Sequence, residues 1–290
     1  MCAMRGETKK GTFGMRKFFL LCSIALVPVL MLPPPALAQT AAPKQPPATQ
    51  TQKPAPAPRH DISGIWDPGN NGIQPLGPRA MPDDGKPEHQ LPYTPLGLET
   101  LNAHKPSNGV RSVLPGETND PVVFCDPQGI PREDLYELRT TQILQTPLNV
   151  FVLYQFGRIW RVIWTDGREL PKNPESRWFG YSIGKWQDDY TFVAQTSGTD
   201  DRTWIDRAGR PHSADLRVEE KFHRVDHDTL ELTVTIDDPK MYTKPWVALD
   251  KLRFKLKPPN FDVREMMCSP SEFQEYNKVI GNPATGKGNP

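Results

Sequence analysis

The chain has few cysteines, almost no net charge and only one long apolar run. Its 290 residues include 35 Lys and Arg against 34 Asp and Glu, which gives a formal net charge of +1. Because no basic face is evident for phosphate backbones, a nucleic-acid partner is not expected. His223 and His227 flank a turn-like segment and do not converge as they would on one helix face, so we predict neither a metal nor a cofactor.

The one apolar run lies near the start of the chain. Residues 18–32 follow Arg16 and Lys17, and the small-residue segment Ala-Leu-Ala at 36–38 follows the run. This order is typical of a secretory signal peptide, here cut after Ala38, with Met15 as an alternative translation start. The alternative is a membrane anchor, but prolines interrupt the apolar run, and the run is shorter than a membrane-spanning helix requires. We therefore predict a periplasmic or extracellular protein with no integral membrane segment after cleavage.

The composition divides the remaining chain into three parts. Residues 39–59 are mostly Pro, Ala, Gln and Thr, too polar to offset the entropy of folding, and we predict a disordered linker. Residues 60–278 have the length of a single β domain, and residues 279–290 are expected to form a flexible tail. Removal of residues 1–38 leaves 30 basic and 33 acidic residues, a net charge of −3.

Two cysteines follow the leader, Cys125 and Cys268. Export to an oxidising compartment makes a disulfide between them the expected state. The alternative is a reactive thiol. Cys125 has Phe124 before it and Asp126 after it, and no cation is near in sequence to lower its pKa, so we favour the disulfide.

Strand-like segments dominate from residue 141 onward. Runs of β-branched and aromatic residues alternate with polar ones, and turn dipeptides such as Gly157-Arg158 and Asp166-Gly167 separate them. We predict an all-β fold: an antiparallel meander closed into a lipocalin-like β-barrel, with a β-sandwich as the alternative. A long irregular loop precedes these strands, with one short helix after Thr94-Pro95, and a short helix is expected near the C-terminus.

The connection around residues 196–215 contains the first candidate site. Trp204 lies in this loop among charged residues, and we predict that it contacts a ligand, although most Trp residues form core. His212 is a candidate general base, oriented by Asp206 or Asp201. The alternative is that these groups cap turns and face solvent.

A second set of candidates lies on the predicted strands. Glu220 and Arg224 share a strand face that should point inward, so they form either an internal ion pair or the polar end of a ligand pocket. Tyr181 and Trp160 are the remaining candidates for ligand contact.

A set of short motifs extends across the domain: D-I-S-G-I-W at 61–66, C-D-P-Q-G-I-P-R at 125–132, T-D-G-R at 165–168, G-Y-S-I-G-K-W at 180–186, T-W-I-D at 203–206, P-H-S at 211–213, E-K at 220–221 and D-P-K-M-Y-T-K-P-W at 238–246. Together these motifs resemble those of a family of secreted, uncharacterised β-rich bacterial proteins. The resemblance implies export and a shared β fold. This chain departs from the pattern at Lys221, where Arg is usual, and at Asp188-Asp189, where Gly-Asp is usual.

Three functions are compatible with these features. The leading prediction is a barrel that binds a small, partly hydrophobic molecule. The second is a lyase, isomerase or hydrolase on the same barrel, with His212 as its base. The third is an interaction domain of the cell envelope. In that case the linker would give the domain reach through the periplasm.

Overall fold

A closed β-barrel is the centre of the structure. The computed structural model describes residues 54–69, 79–136 and 138–286. Within them, nine strands pair in sequence order, and the first strand also pairs with the last. This confirms the predicted barrel over the sandwich. The strands are β1 (Gly64–Asp67), β2 (Thr141–Gln145), β3 (Asn149–Tyr154), β4 (Trp160–Trp164), β5 (Tyr181–Trp186), β6 (Thr191–Ser197), β7 (Arg217–Asp226), β8 (Thr229–Asp237) and β9 (Trp246–Leu256).

One strand pair runs in the direction opposite to our expectation. β4 and β5 are parallel, joined at Ile163 with Ser182 and at Trp164 with Ile183, whereas the other pairs are antiparallel. The wholly antiparallel meander was therefore wrong at this point. Because β4 and β5 are parallel, the connection after Asp166-Gly167 returns the chain to the end of the barrel where β4 began, and does not form a hairpin.

Alternating apolar side chains fill most of the barrel. On β8, Leu230, Leu232, Val234 and Ile236 are each at most 1% exposed. Leu232 lies opposite Phe222 on β7, and the next strand continues the same apolar layer. Burial of each such side chain contributes about 1.5–3 kcal/mol, so this alternation drives the sheet to close with its apolar face inward.

The long loop before β2 wraps the barrel wall, as predicted. Its helix α1 (Pro95–Ala103) starts at Thr94, whose Oγ1 accepts a hydrogen bond from the Gly97 amide. The loop is held by backbone hydrogen bonds from Thr94 to the Met241 carbonyl and from Met81 to the Ala248 carbonyl, each 2.9 Å. A side chain at residue 97 would overlap the Met241 carbonyl, which explains the glycine.

A second helix covers the barrel interior, and no sequence pattern indicated it. All four residues of α2 (Arg132–Leu135) are buried. Asp134 on this helix lies next to the inward-facing hydroxyl of Tyr154, at 3.4 Å. Both terminal nitrogens of Arg132 donate to the carboxylate of Asp120, at 2.8 and 2.6 Å. The long loop, which contains Asp120, therefore also holds α2 in place.

The predicted disulfide joins Cys125 to Cys268, with their Cα atoms 5.5 Å apart. It ties the segment before α2 to the C-terminal region, where α3 (Pro270–Tyr276), a π-helical turn (Asn277–Gly281) and α4 (Asn282–Ala284) follow one another. Helical structure thus continues beyond residue 279, where we expected a flexible tail. In the described part of the chain, no helix has the length and apolarity of a membrane span. The predicted leader lies outside the described residues, as does the predicted linker up to residue 53.

Replacing both Cys125 and Cys268 by Ser should destabilise the fold. The bridge closes a loop with a sequence separation of 143 residues. In the chain-entropy model, a loop of that size corresponds to about 5 kcal/mol of stabilisation. Denaturant unfolding under oxidising conditions measures this difference, and reduced wild-type protein should match the double variant. An unchanged unfolding midpoint in the double variant would contradict this role.

Candidate functional site

The connection between β6 and β7 contains a tight turn built by Asp206 and Arg210. The carboxylate of Asp206 accepts hydrogen bonds from the Ala208 amide at 3.0 Å and from Nη1 of Arg210 at 2.7 Å. The Ile205 amide closes the turn on the Arg210 carbonyl at 2.8 Å. Asp206 is therefore bound to a buried guanidinium, not to the histidine that we expected it to orient.

His212 is buried and makes its hydrogen bonds to neutral groups. Its Nε2 lies 2.7 Å from Oγ1 of Thr203, and its Nδ1 lies 3.1 Å from the Ser213 carbonyl. Burial lowers the pKa of His212, so the ring is neutral near pH 7. Asp201 is exposed, and its negative charge has only a minor opposing effect on this pKa. The carboxylate contact that would orient a general base is thus not among these hydrogen bonds.

Segments of the family-like motifs interlock around this histidine. Ser213 donates from its amide and its Oγ to Asp238, at 2.5 and 2.9 Å. The hydroxyl of Tyr242 donates to the Pro211 carbonyl at 2.8 Å. The P-H-S segment and the D-P-K-M-Y segment therefore hold one another in place, which gives these residues a structural role.

Trp204 is a buried support and does not form an open platform. It is 3% exposed and stacks on His104, with ring centroids 4.5 Å apart and an interplanar angle of 17°. The Nδ1 of His104 lies 2.7 Å from the Gly209 carbonyl, so the stacked pair also fixes the turn formed by Asp206 and Arg210. The indole ring of Trp204 already packs against other side chains of the protein, so it offers a ligand little surface to contact.

Glu220 faces the barrel interior, and its ion-pair partner is Arg161 on β4. Both of its oxygens lie 2.7 Å from Nη2 of Arg161, and both side chains are at most 2% exposed. Asp134 of α2 adds a second carboxyl group. Burial raises the pKa of Asp134 well above its usual value, and the nearby charge of Glu220 raises it further. We assign a proton to Asp134, because its pKa is raised and the short contacts of Arg161 go to Glu220.

The remaining predicted contact residues lie in three other places. Arg224 donates to the backbone carbonyls of Asp61, Ser63, Asp226 and His227, at one end of the sheet and not toward Glu220. Half-buried Tyr181 packs under Arg177, 4.1 Å from its ring. Trp160 is 59% exposed on the outer face of β4. Trp160, a predicted ligand contact, therefore does not line the barrel interior; its neighbour Arg161 takes the inward position.

A groove outside the barrel combines apolar walls with a polar end. It lies between the long loop and the turn formed by Asp206 and Arg210, and its volume is about 420 Å³. We call it the loop groove. Its apolar walls are Leu91, Tyr93, Leu98, Leu101 and Val110, and its polar groups include Asp83, Lys86, His89, Arg111 and Arg210.

Two acids of the groove have shifted pKa values. Burial raises the pKa of Asp83, against the opposing charge of Arg210. Burial also raises the pKa of the Tyr93 phenol to about 12. Both residues come from the irregular loop, and no sequence pattern pointed to them. The nearest sequence pattern is Thr94-Pro95, which predicted the start of α1 but not the groove.

Comparisons of the chain with family models, with curated proteins and with solved structures gave no match.

Replacing Arg161 by Met should destabilise the protein strongly. The change leaves Glu220 buried without its cation, and loss of one partner of a buried pair costs about 3–5 kcal/mol. Arg253→Met is a suitable control, because Arg253 contacts Glu231 at 2.9 Å but its side chain is 64% exposed. The loss of stability in Arg253→Met should be much smaller than in Arg161→Met, because water screens the exposed pair. Denaturant unfolding of both variants measures the contrast, and equal losses would contradict it.

Replacing Asp134 by Asn should flatten the pH dependence of stability. The pKa of Asp134 is raised in the folded protein, so its contribution is greatest below the unfolded pKa and is lost as pH rises. Asn cannot ionise. Unfolding free energies between about pH 5 and pH 9 should fall less in this variant than in the wild type. Exposed Asp262→Asn should keep the wild-type slope. Identical slopes for Asp134→Asn and the wild type would refute this assignment.

Proposed function

We propose that this protein is a periplasmic or extracellular β-barrel protein that binds a small, partly apolar molecule in the loop groove. The observation behind this proposal is that one groove contains both an apolar wall and a small set of polar groups around Asp83. Ligand sites in proteins typically have this composition and volumes of about 300–1,000 Å³. The groove, at about 420 Å³, lies within that range.

The groove has rigid support, which lowers the cost of ordering it around a ligand. Arg111 bridges its two sides, with Nη1 donating to the Ala208 carbonyl at 3.4 Å and Nη2 to the His104 carbonyl at 2.8 Å. Beneath the turn, the stack of Trp204 on His104 fills the space toward the core. In this proposal, Trp204 supports the site without touching the ligand.

Two features support a periplasmic or extracellular location. The first is the leader pattern at residues 16–38. The second is the bridge between Cys125 and Cys268, because structural disulfides are typical of proteins outside the cytoplasm. The enzymatic alternative needs a carboxylate to orient His212, and the hydrogen bonds of that ring go to Thr203 and Ser213 instead. Binding is therefore the function that we put forward.

Replacing Leu98 by Arg should weaken the binding of an apolar probe such as 1-adamantanol. Leu98 is 49% exposed on α1 and lines the groove, so a long cationic side chain there fills the space without disturbing the core. We expect the Kd from ligand-observed NMR titration to rise by at least about tenfold, which corresponds to about 1.4 kcal/mol.

Leu96→Arg provides the matched control. Leu96 is 48% exposed on the same helix but does not line the groove. This variant should bind the probe as the wild type does. Equal losses in both variants, or no loss in Leu98→Arg, would place the probe elsewhere and count against the loop groove.

A further inference from the structure

We propose that the ligand of the loop groove is an alcohol, with an uncharged hydroxyl bound at Asp83 and an apolar body along Leu98 and Leu101. This inference rests on the proposed binding function and names the ligand class. It depends on which polar side chains of the groove already have hydrogen-bond partners within the protein.

The two guanidinium groups of the groove are bound to oxygens of the protein. Arg210 donates to the Asp206 carboxylate and to the carbonyls of Met81 and Pro82. Arg111 donates to the carbonyls of Ala208, Leu101 and His104. A ligand carboxylate would have to displace these contacts before it gained a cation, so an anionic ligand is disfavoured.

The other two basic groups of the groove have a shared partner at the rim. The Nδ1 of His89 lies 2.8 Å from Oδ1 of Asp84, and the Nζ of Lys86 lies 3.2 Å from its Oδ2. The hydrogen bond from His89 holds the pKa of Asp84 at about 2, so this carboxylate stays ionised and keeps both groups in place.

Asp83 has spare capacity to accept a hydrogen bond. Its carboxylate accepts a hydrogen bond from the Val110 amide. Its Oδ2 is buried and has no hydrogen-bond partner among the described residues. Rotation about the Cβ–Cγ bond is a soft motion and can turn an oxygen toward the groove without a backbone change. An unmade hydrogen bond at a buried acceptor is costly, which favours a ligand that donates one.

The charges around Asp83 favour a neutral donor over an ammonium group. Arg210 affects Asp83 more strongly than the opposing carboxylate of Asp206 does, and Arg111 adds a second positive charge, so a cationic ligand would meet net positive charge beside the Asp83 carboxylate. The hydroxyl of Tyr93 is a second group near Arg210; burial raises its pKa to about 12, so it carries its proton throughout the neutral and mildly basic range. A ligand hydroxyl donates and accepts at once, whereas an ammonium only donates and a carboxylate only accepts.

Three probes with one apolar body separate these cases. We would titrate the full chain with 1-adamantanol, 1-adamantylamine and 1-adamantanecarboxylate at pH 7 and measure Kd by ligand-observed NMR. The amine is then cationic and the carboxylate anionic. We expect the alcohol to bind about tenfold more tightly than either charged probe, as one hydrogen bond to a charged group would provide.

Two variants of Asp83 test the residue. Asp83→Asn keeps an acceptor oxygen and should keep the preference for the alcohol, whereas Asp83→Leu should weaken alcohol binding by about tenfold and remove the preference. Tightest binding of the amine or the carboxylate, equal binding of all three probes, or an unchanged preference in Asp83→Leu would overturn the hydroxyl assignment and leave the binding function standing. Failure of every probe to bind the wild type would instead count against the binding function itself.

Discussion

The buried contact between Arg161 and Glu220 joins two strands that the backbone does not pair. Arg161 lies on β4 and Glu220 on β7, on either side of the short parallel contact between β4 and β5. Only two residue pairs join β4 to β5, as few as join β1 to β9, and the side-chain contact adds a link across this part of the barrel. A buried ion pair adds little net stability over apolar packing. Its value here is geometric, because it fixes the distance across the barrel and provides the place where α2 inserts Asp134.

The strands could be predicted from the sequence because their signals are local. β2 to β9 all lie in the strand-like region predicted from residue 141 onward, and the turn dipeptide Gly157-Arg158 lies in the hairpin between β3 and β4. The parallel direction of β5 could not be predicted, since the alternation of side chains is the same in both directions. The disulfide was predictable for a different reason: Cys125 and Cys268 are the two cysteines of the sequence after residue 38.

Partners across long sequence separations were beyond the reach of such patterns. The inward position of Glu220 was predicted from alternation, but its partner Arg161 lies 59 residues away and nothing local pairs them. Arg224, four residues after Glu220, seemed the natural partner, yet its guanidinium binds carbonyls at the end of the sheet. In the connection, His212 was predicted to be a base oriented by Asp206. In the structure, Asp206 binds Arg210, four residues away, and His212 lies against Thr203, nine residues away.

The division between the barrel and its loop explains why the groove escaped prediction. Side-chain alternation reveals surfaces that strands bury, and here those surfaces are occupied by apolar packing, the ion pair and α2. Asp83 and Tyr93 belong to an irregular segment that follows no period and is positioned by contacts with β9 and the turn formed by Asp206 and Arg210. Binding residues on a loop over a rigid scaffold can change without loss of the core. The barrel therefore sets where the groove lies, and the loop decides what it can bind.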